Sequence, residues 1–329
     1  MSGRRRTALL LLALAAGPAA AQTDLGGQRI GTSSGTFLKV PVDARTAALA
    51  GATSGHVRGP EALFSNPAGL GIENARGVRF SAMEMPTGIP AGGIAVSFPF
   101  EPIRGAIGVG MTGLCATMDE TDEYHPLGTG REFSYTALSV VLGLSRALTD
   151  KLNFGVATKV FREGMGTEVG GPNLTTWLFD AGAIYFVGYR DVRIGLALSN
   201  FGPDLTPSGA YTSRRNGTSI DYESFSPPTF FRFSFAGDPI SGESWKLVTA
   251  IEIGHPADNR EALRLGAELD LGRRLFLRSG YDFSADELKM NAGVGVRARF
   301  GEQVFNVDYA YAAGDYFGDI HRWTVGCLW

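Results

Sequence analysis

Cysteine, histidine and charge are all scarce in this sequence, and each scarcity closes off a class of function. The two cysteines, Cys115 and Cys327, stand far apart and in no metal-binding spacing. The four histidines, His56, His125, His255 and His321, are isolated, and no HExxH-like cluster occurs. Metal chemistry therefore has no local ligand set, and no cofactor is expected. Only a Ser-His-acid site assembled across distant segments could still carry hydrolysis. Charged residues make up only 19% of the 329, with a net charge of −3. Without Arg4, Arg5 and Arg6 the balance is 27 basic against 33 acidic residues, or −6, which argues against a nucleic-acid partner. No run of eighteen apolar residues exists, so no helix is expected to span a membrane.

The N-terminus reads as a secretory signal over residues 1–21. Arg4–Arg6 form a basic start, Thr7–Ala16 an apolar run of ten residues, and Ala19-Ala20-Ala21 a small-residue cleavage site before Gln22. No cysteine follows that site, so no lipid anchor is indicated.

What the chain has instead is alternation. Leu263, Leu265, Ala267, Leu269 and Leu271 alternate with Arg264, Gly266, Glu268 and Asp270. Leu275, Leu277, Ser279 and Tyr281 alternate with Phe276, Arg278, Gly280 and Asp282. Ala292, Val294, Val296 and Ala298 alternate with Gly293, Gly295, Arg297 and Arg299. Phe305, Val307, Tyr309 and Tyr311 alternate with Asn306, Asp308 and Ala310, and the chain closes on Trp323, Val325, Cys327 and Trp329 around Arg322 and Thr324. Successive strand residues point to opposite faces, so each segment has one apolar and one polar face. Aromatic-rich apolar faces outside and charged faces inside are the pattern of a transmembrane β-barrel, with a secreted sandwich as the competing reading.

Nine further strands are expected upstream: 77–83, 92–98, 103–114, 133–146, 152–161, 175–187, 192–200, 229–236 and 245–253. With the five above, the fold class is all-β, an antiparallel barrel of about fourteen strands over residues 77–329. Its tight and long connections should fall on opposite ends. Residues 115–131, 163–174, 201–228 and 312–320 read as long loops. Residues 237–244 look too long for a tight turn. On this topology Cys115 and Cys327 lie near opposite ends of the wall and are expected to stay unpaired.

Residues 22–76 are different. They are small-residue-rich, and Asp43 could cap a short helix over 44–50 ended by Gly51. Glu61–Phe64 could form another turn before Asn66-Pro67, whose proline keeps the preceding residue extended. This segment reads as a plug inside the lumen, against the alternative of a periplasmic extension.

Two catalytic patterns fail on context. Gly31–Gly35 matches GxSxG but lies in a small-residue linker, without the strand and helix of a nucleophile elbow. Gly108–Gly113 matches GxGxxG but sits within a strand pattern with no helix to follow. The inward charges Arg264, Glu268, Asp270, Arg278, Asp282, Arg297, Arg299, Asp308 and Arg322 read as a selectivity lining or as a paired network filling the lumen. Their mixed signs favour the network.

Gly35-Thr36-Phe37-Leu38-Lys39-Val40, Asp43–Ala52 with Arg45, and Ala62–Leu70 with Asn66, Pro67, Ala68 and Gly69 resemble the opening of PorV/PorQ-family proteins, which are similar to FadL-type barrels. Phe305–Tyr311 and His321-Arg322-Trp323 resemble the family's closing hairpin. The chain departs at Arg45–Ala50, where the family more often carries Met or Gly. The resemblance implies a fourteen-stranded outer-membrane barrel with a hatch built on Asn66-Pro67-Ala68. It also implies two jobs. One is assistance to type IX-like protein export, with secreted cargo or secretion machinery as partners. The other is FadL-like passage of hydrophobic small molecules. Export is the leading expectation, the channel the alternative, and a lipid-modifying enzyme the third. Outer-membrane lipid is a partner in each case.

Overall fold

The computed structural model describes residues 27–121, 123–212 and 217–329; the signal-peptide reading lies outside these. Fourteen antiparallel strands close into one barrel. They are β1 (Gly77–Met85), β2 (Ile89–Phe100), β3 (Gly105–Asp119), β4 (Glu132–Ala147), β5 (Leu152–Met165), β6 (Asn173–Phe186) and β7 (Arg193–Phe201), then β10 (Phe230–Ser241), β11 (Trp245–Pro256), β12 (Ala262–Leu271), β13 (Leu275–Asp282), β14 (Met290–Phe300), β15 (Gln303–Ala312) and β16 (Ile320–Leu328). Strand β1 pairs with β16, Gly77 opposite Leu328, and seals the wall. A closed barrel leaves no unpaired edge, which a membrane requires.

Two short strands, β8 (Ala210–Thr212) and β9 (Ser219–Asp221), pair in the long loop between β7 and β10. Sequence alternation did not reveal them, because all six residues are exposed and neither face is apolar. Strand β10 also outruns its expected end at Ala236. A bulge between Gly237 and Ile240 interrupts the alternation, and pairing with β11 resumes at Ile240–Leu247. The connection taken as 237–244 is therefore the three residues after Ser241. Strand β3 likewise continues to Asp119, so Cys115 lies in the wall opposite Thr136, not in a loop.

The end of the C-terminal strand marks one rim, here the turn end, whose connections are all short. The opposite rim, the loop end, carries the long connections together with the three-residue link Pro86–Gly88 between β1 and β2. The expected faces hold along the last five strands. Leu265 and Val296 are exposed on the outside at 38% and 53%. Arg264 and Arg297 turn inward to Asp282 and Asn306. In a bilayer, Leu265→Arg or Val296→Arg should each lower stability by about 2–4 kcal/mol near the midplane. Denaturant unfolding from lipid vesicles measures this; near-zero costs at both sites would place these positions off the lipid.

Candidate functional site: the occupied lumen

Most of residues 37–70, ahead of β1, pack inside the ring of strands. Helix α1 (Ala44–Ala48) is capped by Asp43, whose carboxylate accepts from Thr46 N at 2.7 Å. It stops earlier than the expected 44–50, because Ala50 and Gly51 turn left-handed at φ 52° and 85°. All five helix residues are buried. Thr324 on β16 accepts from Ala44 N at 2.9 Å, and Arg322 Nε donates to the Pro41 carbonyl at 3.0 Å. Five helical residues cannot stabilise themselves in water; the wall holds them.

Asn66-Pro67-Ala68 forms the second anchor. Asn66 is fully buried. Its Oδ1 accepts from Ala68 N at 3.1 Å, closing a 3₁₀ turn over Pro67–Gly69. Its Nδ2 donates to the Ser54 carbonyl at 2.7 Å and to wall carbonyls of Leu196 and Ala183 at 3.1 and 3.3 Å. The turn fits because the wall has no side chains there. A Cβ on Gly182 would overlap Asn66 Oδ1, and one on Gly155 would overlap the Pro67–Ala68 peptide. Phe37 is buried and Leu38 packs beside it near the loop end. From there Ser34 donates to Glu163 at 2.8 Å, and Lys39 pairs with Asp258 at 2.6 Å.

The inward charges form one alternating chain that begins and ends on the inserted segment. Arg45 Nε reaches Glu268 at 3.0 Å, Glu268 meets Arg278 at 2.7 Å, and Arg278 reaches Asp308 at 2.6 Å. Asp308 meets Arg79 at 3.3 Å, and Arg79 pairs with Glu61 at 3.2 Å. Alternation offsets the cost of burying each charge, which unpaired would be severe. Burial works against the Arg45 charge, but Glu268, with Glu61 and Asp308, outweighs it and keeps the guanidinium protonated. Burial first, then Arg45, holds the nearby His56 well below the ordinary imidazole value. Arg79, Glu61 and Glu252, which accepts from Ser54 N and Oγ at 3.0 and 2.6 Å, were missing from the residues picked out by alternation. Six of those picked out lie outside this chain of pairs, with Arg297 on Asn306 and Arg322 on the Pro41 carbonyl. Arg264 pairs with Asp282 at 2.8 Å nearer the loop end. Asp270 accepts from the Arg273 backbone N and joins no ion pair among the described residues. Arg299 is exposed at the turn end and joins no ion pair among the described residues.

Toward the loop end an apolar cluster stands beside the ion pairs of the lumen, where a wholly polar inner face was expected. Phe37, Phe161, Leu174, Leu178 and Leu205 form one buried cluster, with Phe64 packed against it. The sequence carried a signal for this: on β6, Leu174 and Leu178 alternate with Trp177 and Phe179, so both faces are apolar. Next to the cluster lies a cavity of ≈ 200 Å³, lined by Phe37, Leu38, Val40, Phe64 and Phe230 among others. Five basic side chains also line it. Each has a partner: Lys39 with Asp258, Lys159 with Asp180, Arg264 with Asp282, Arg232 with the Ser65 carbonyl, and Arg322 with the Pro41 carbonyl. A second cavity, of ≈ 340 Å³, lies on the turn-end side of α1 and shares no lining residue with the first.

Neither a protein-family model nor a curated protein matches the sequence. Solved structures do match. The fold is that of FadL-type barrels. The toluene transporter TbuX of Ralstonia pickettii superposes with a TM-score of 0.55 at 14% identity, covering 88% of this chain and 96% of that one. A Pseudomonas aeruginosa FadL homologue gives 0.53 at 12%, covering 88% and 98%. The monoaromatic hydrocarbon channel CymD gives 0.56 at 12%, covering 88% and 97%. Such identities establish the shared FadL-type fold and nothing finer.

Proposed function

We propose that this chain is an outer-membrane channel that takes up small hydrophobic compounds, with residues 22–76 acting as its hatch and the turn end facing the periplasm. The observation that carries this reading is the apolar cluster in the loop-end lumen and the cavity of mixed lining beside it. A cavity of about 150 Å³ is large enough for benzene, and this one, of mixed polar and apolar lining, is ≈ 200 Å³. The apolar side of the cavity, Phe37, Leu38, Val40, Phe64 and Phe230, suits a neutral ligand, although Arg232 Nε and Arg322 Nη1 are left without hydrogen-bond partners. The solved barrels of the same fold whose titles name toluene or monoaromatic hydrocarbons support the choice of class. The export reading rests on the sequence resemblance of residues 35–70 to PorV/PorQ proteins, and no feature of the lumen adds to it. Secreted cargo therefore ranks behind a hydrophobic small molecule as partner, and no reacting group is assigned.

The test is toluene binding to the purified protein. Ser139 lines the cavity from the wall of β4. Ser139→Trp should fill it and weaken toluene at least ten-fold, about 1.4 kcal/mol. Phe230→Asp should do the same by making the lining more polar. Saturable binding that both variants leave unchanged would place the ligand elsewhere.

A further inference from the structure

The second cavity differs from the first in what it leaves unpaired. Its lining holds seven basic residues and five acidic ones, in a chain whose overall balance is acidic. The acidic partners are mostly spent. Glu268 serves both Arg45 and Arg278, Asp308 serves Arg278 and Arg79, Glu61 serves Arg79, and Asp270 serves a backbone N–H. Four sets of donors remain. Arg45 is more than nine-tenths buried, yet its Nη1 has no partner. Asn306 is buried to the same degree, and its Nδ2 has none. Arg58 enters no hydrogen bond or ion pair among the described residues, though it lines the same space. Arg297 spends only its Nε, on Asn306 Oδ1 at 2.7 Å.

We propose that this cavity is a binding site for one small oxyanion, a carboxylate or a phosphate group, entered from the turn end. Guanidinium groups and an amide N–H are the donors that planar and tetrahedral oxyanions accept best. An entry exists: Glu73, Arg273 and Arg297 also line a ≈ 760 Å³ recess that continues to Trp329 at the chain's end. Glu73 is the acidic group left at that passage. Its Oε2 lacks a hydrogen-bond partner, and burial, then Glu61, push it toward the neutral form that can donate a proton to an anion. The site stands independently of the uptake reading, since it lies on the other side of α1 from the first cavity.

The experiment is titration calorimetry of the full-length protein in detergent with inorganic phosphate and, separately, benzoate, at ionic strength held constant with chloride. Saturable binding of either is expected; phosphate alone or benzoate alone tells which oxyanion fits. Arg58→Gln should weaken it at least ten-fold, and Arg58→Lys should restore part of the loss. Arg299→Gln, on the recess but outside the cavity, should leave it unchanged. Heat-resistant barrel migration on a gel shows that each variant is folded. No saturable binding of either anion, or binding indifferent to Arg58→Gln, overturns the proposal. Toluene binding is unaffected by either result, so the two readings fail separately.

Discussion

Deleting residues 22–70 is expected to turn a barrel that passes no steady current into one that conducts ions. Eight strands already fill a barrel's interior with their own side chains, and sixteen leave an aqueous channel. Fourteen therefore enclose more space than the wall can fill, and here α1, the 3₁₀ turn over Pro60–Phe64 and the Asn66 turn occupy it. The wall itself should survive, since its hydrogen bonds run strand to strand and close at β1–β16. What it loses is the outer partner of Glu268 and of Arg79, leaving buried charges that water in the opened lumen would solvate. Single-channel recording in planar bilayers reads the result. Insertion without current would mean that the segment does not block the lumen.

The second large effect is expected where the inserted turn meets the glycines of β5 and β6. Gly182→Val places a branched side chain on the position of Asn66 Oδ1. Overpacking of a filled interior costs about 1–3 kcal/mol. The displaced Asn66 adds to that, because its amide serves three carbonyls from the buried interior. Leaving buried polar groups without partners costs about 1–3 kcal/mol each. Asn66→Ala should reach a similar loss from the other side, and the double variant should cost less than the sum, since both break one contact. Protease sensitivity of residues 27–76 and denaturant unfolding measure it. Strictly additive losses would mean that the two residues do not meet.

The barrel was legible because burial on one face only forces period two, and Arg264, Glu268, Arg278 and Asp308 announce that face wherever it is charged. Strand ends were less legible. The β10 bulge at Gly237–Ile240 breaks the period without ending the strand, and Cys115 stands on a strand whose last residues are exposed on both faces. The inserted segment was recognisable by Asp43, Pro67 and its small residues. Its partners were not: Gly155 and Gly182 matter through the absence of a side chain, and only three-dimensional proximity gives that absence a meaning. The apolar cluster in the lumen was hidden for a related reason. Phe161, Leu178 and Leu205 come from two strands and a loop, and alternation along any one of them does not say which apolar face turns inward.

The most direct test of the account is entry of radiolabelled toluene into Gram-negative cells whose outer membrane carries the chain. Expression of the full chain should raise initial uptake well above that of cells without it. Ser139→Trp, folded and present at equal level, should return uptake to background. Uptake that stays at background with the full chain in place, while secreted proteins co-purify with it, would contradict the channel reading and return the export role to first place.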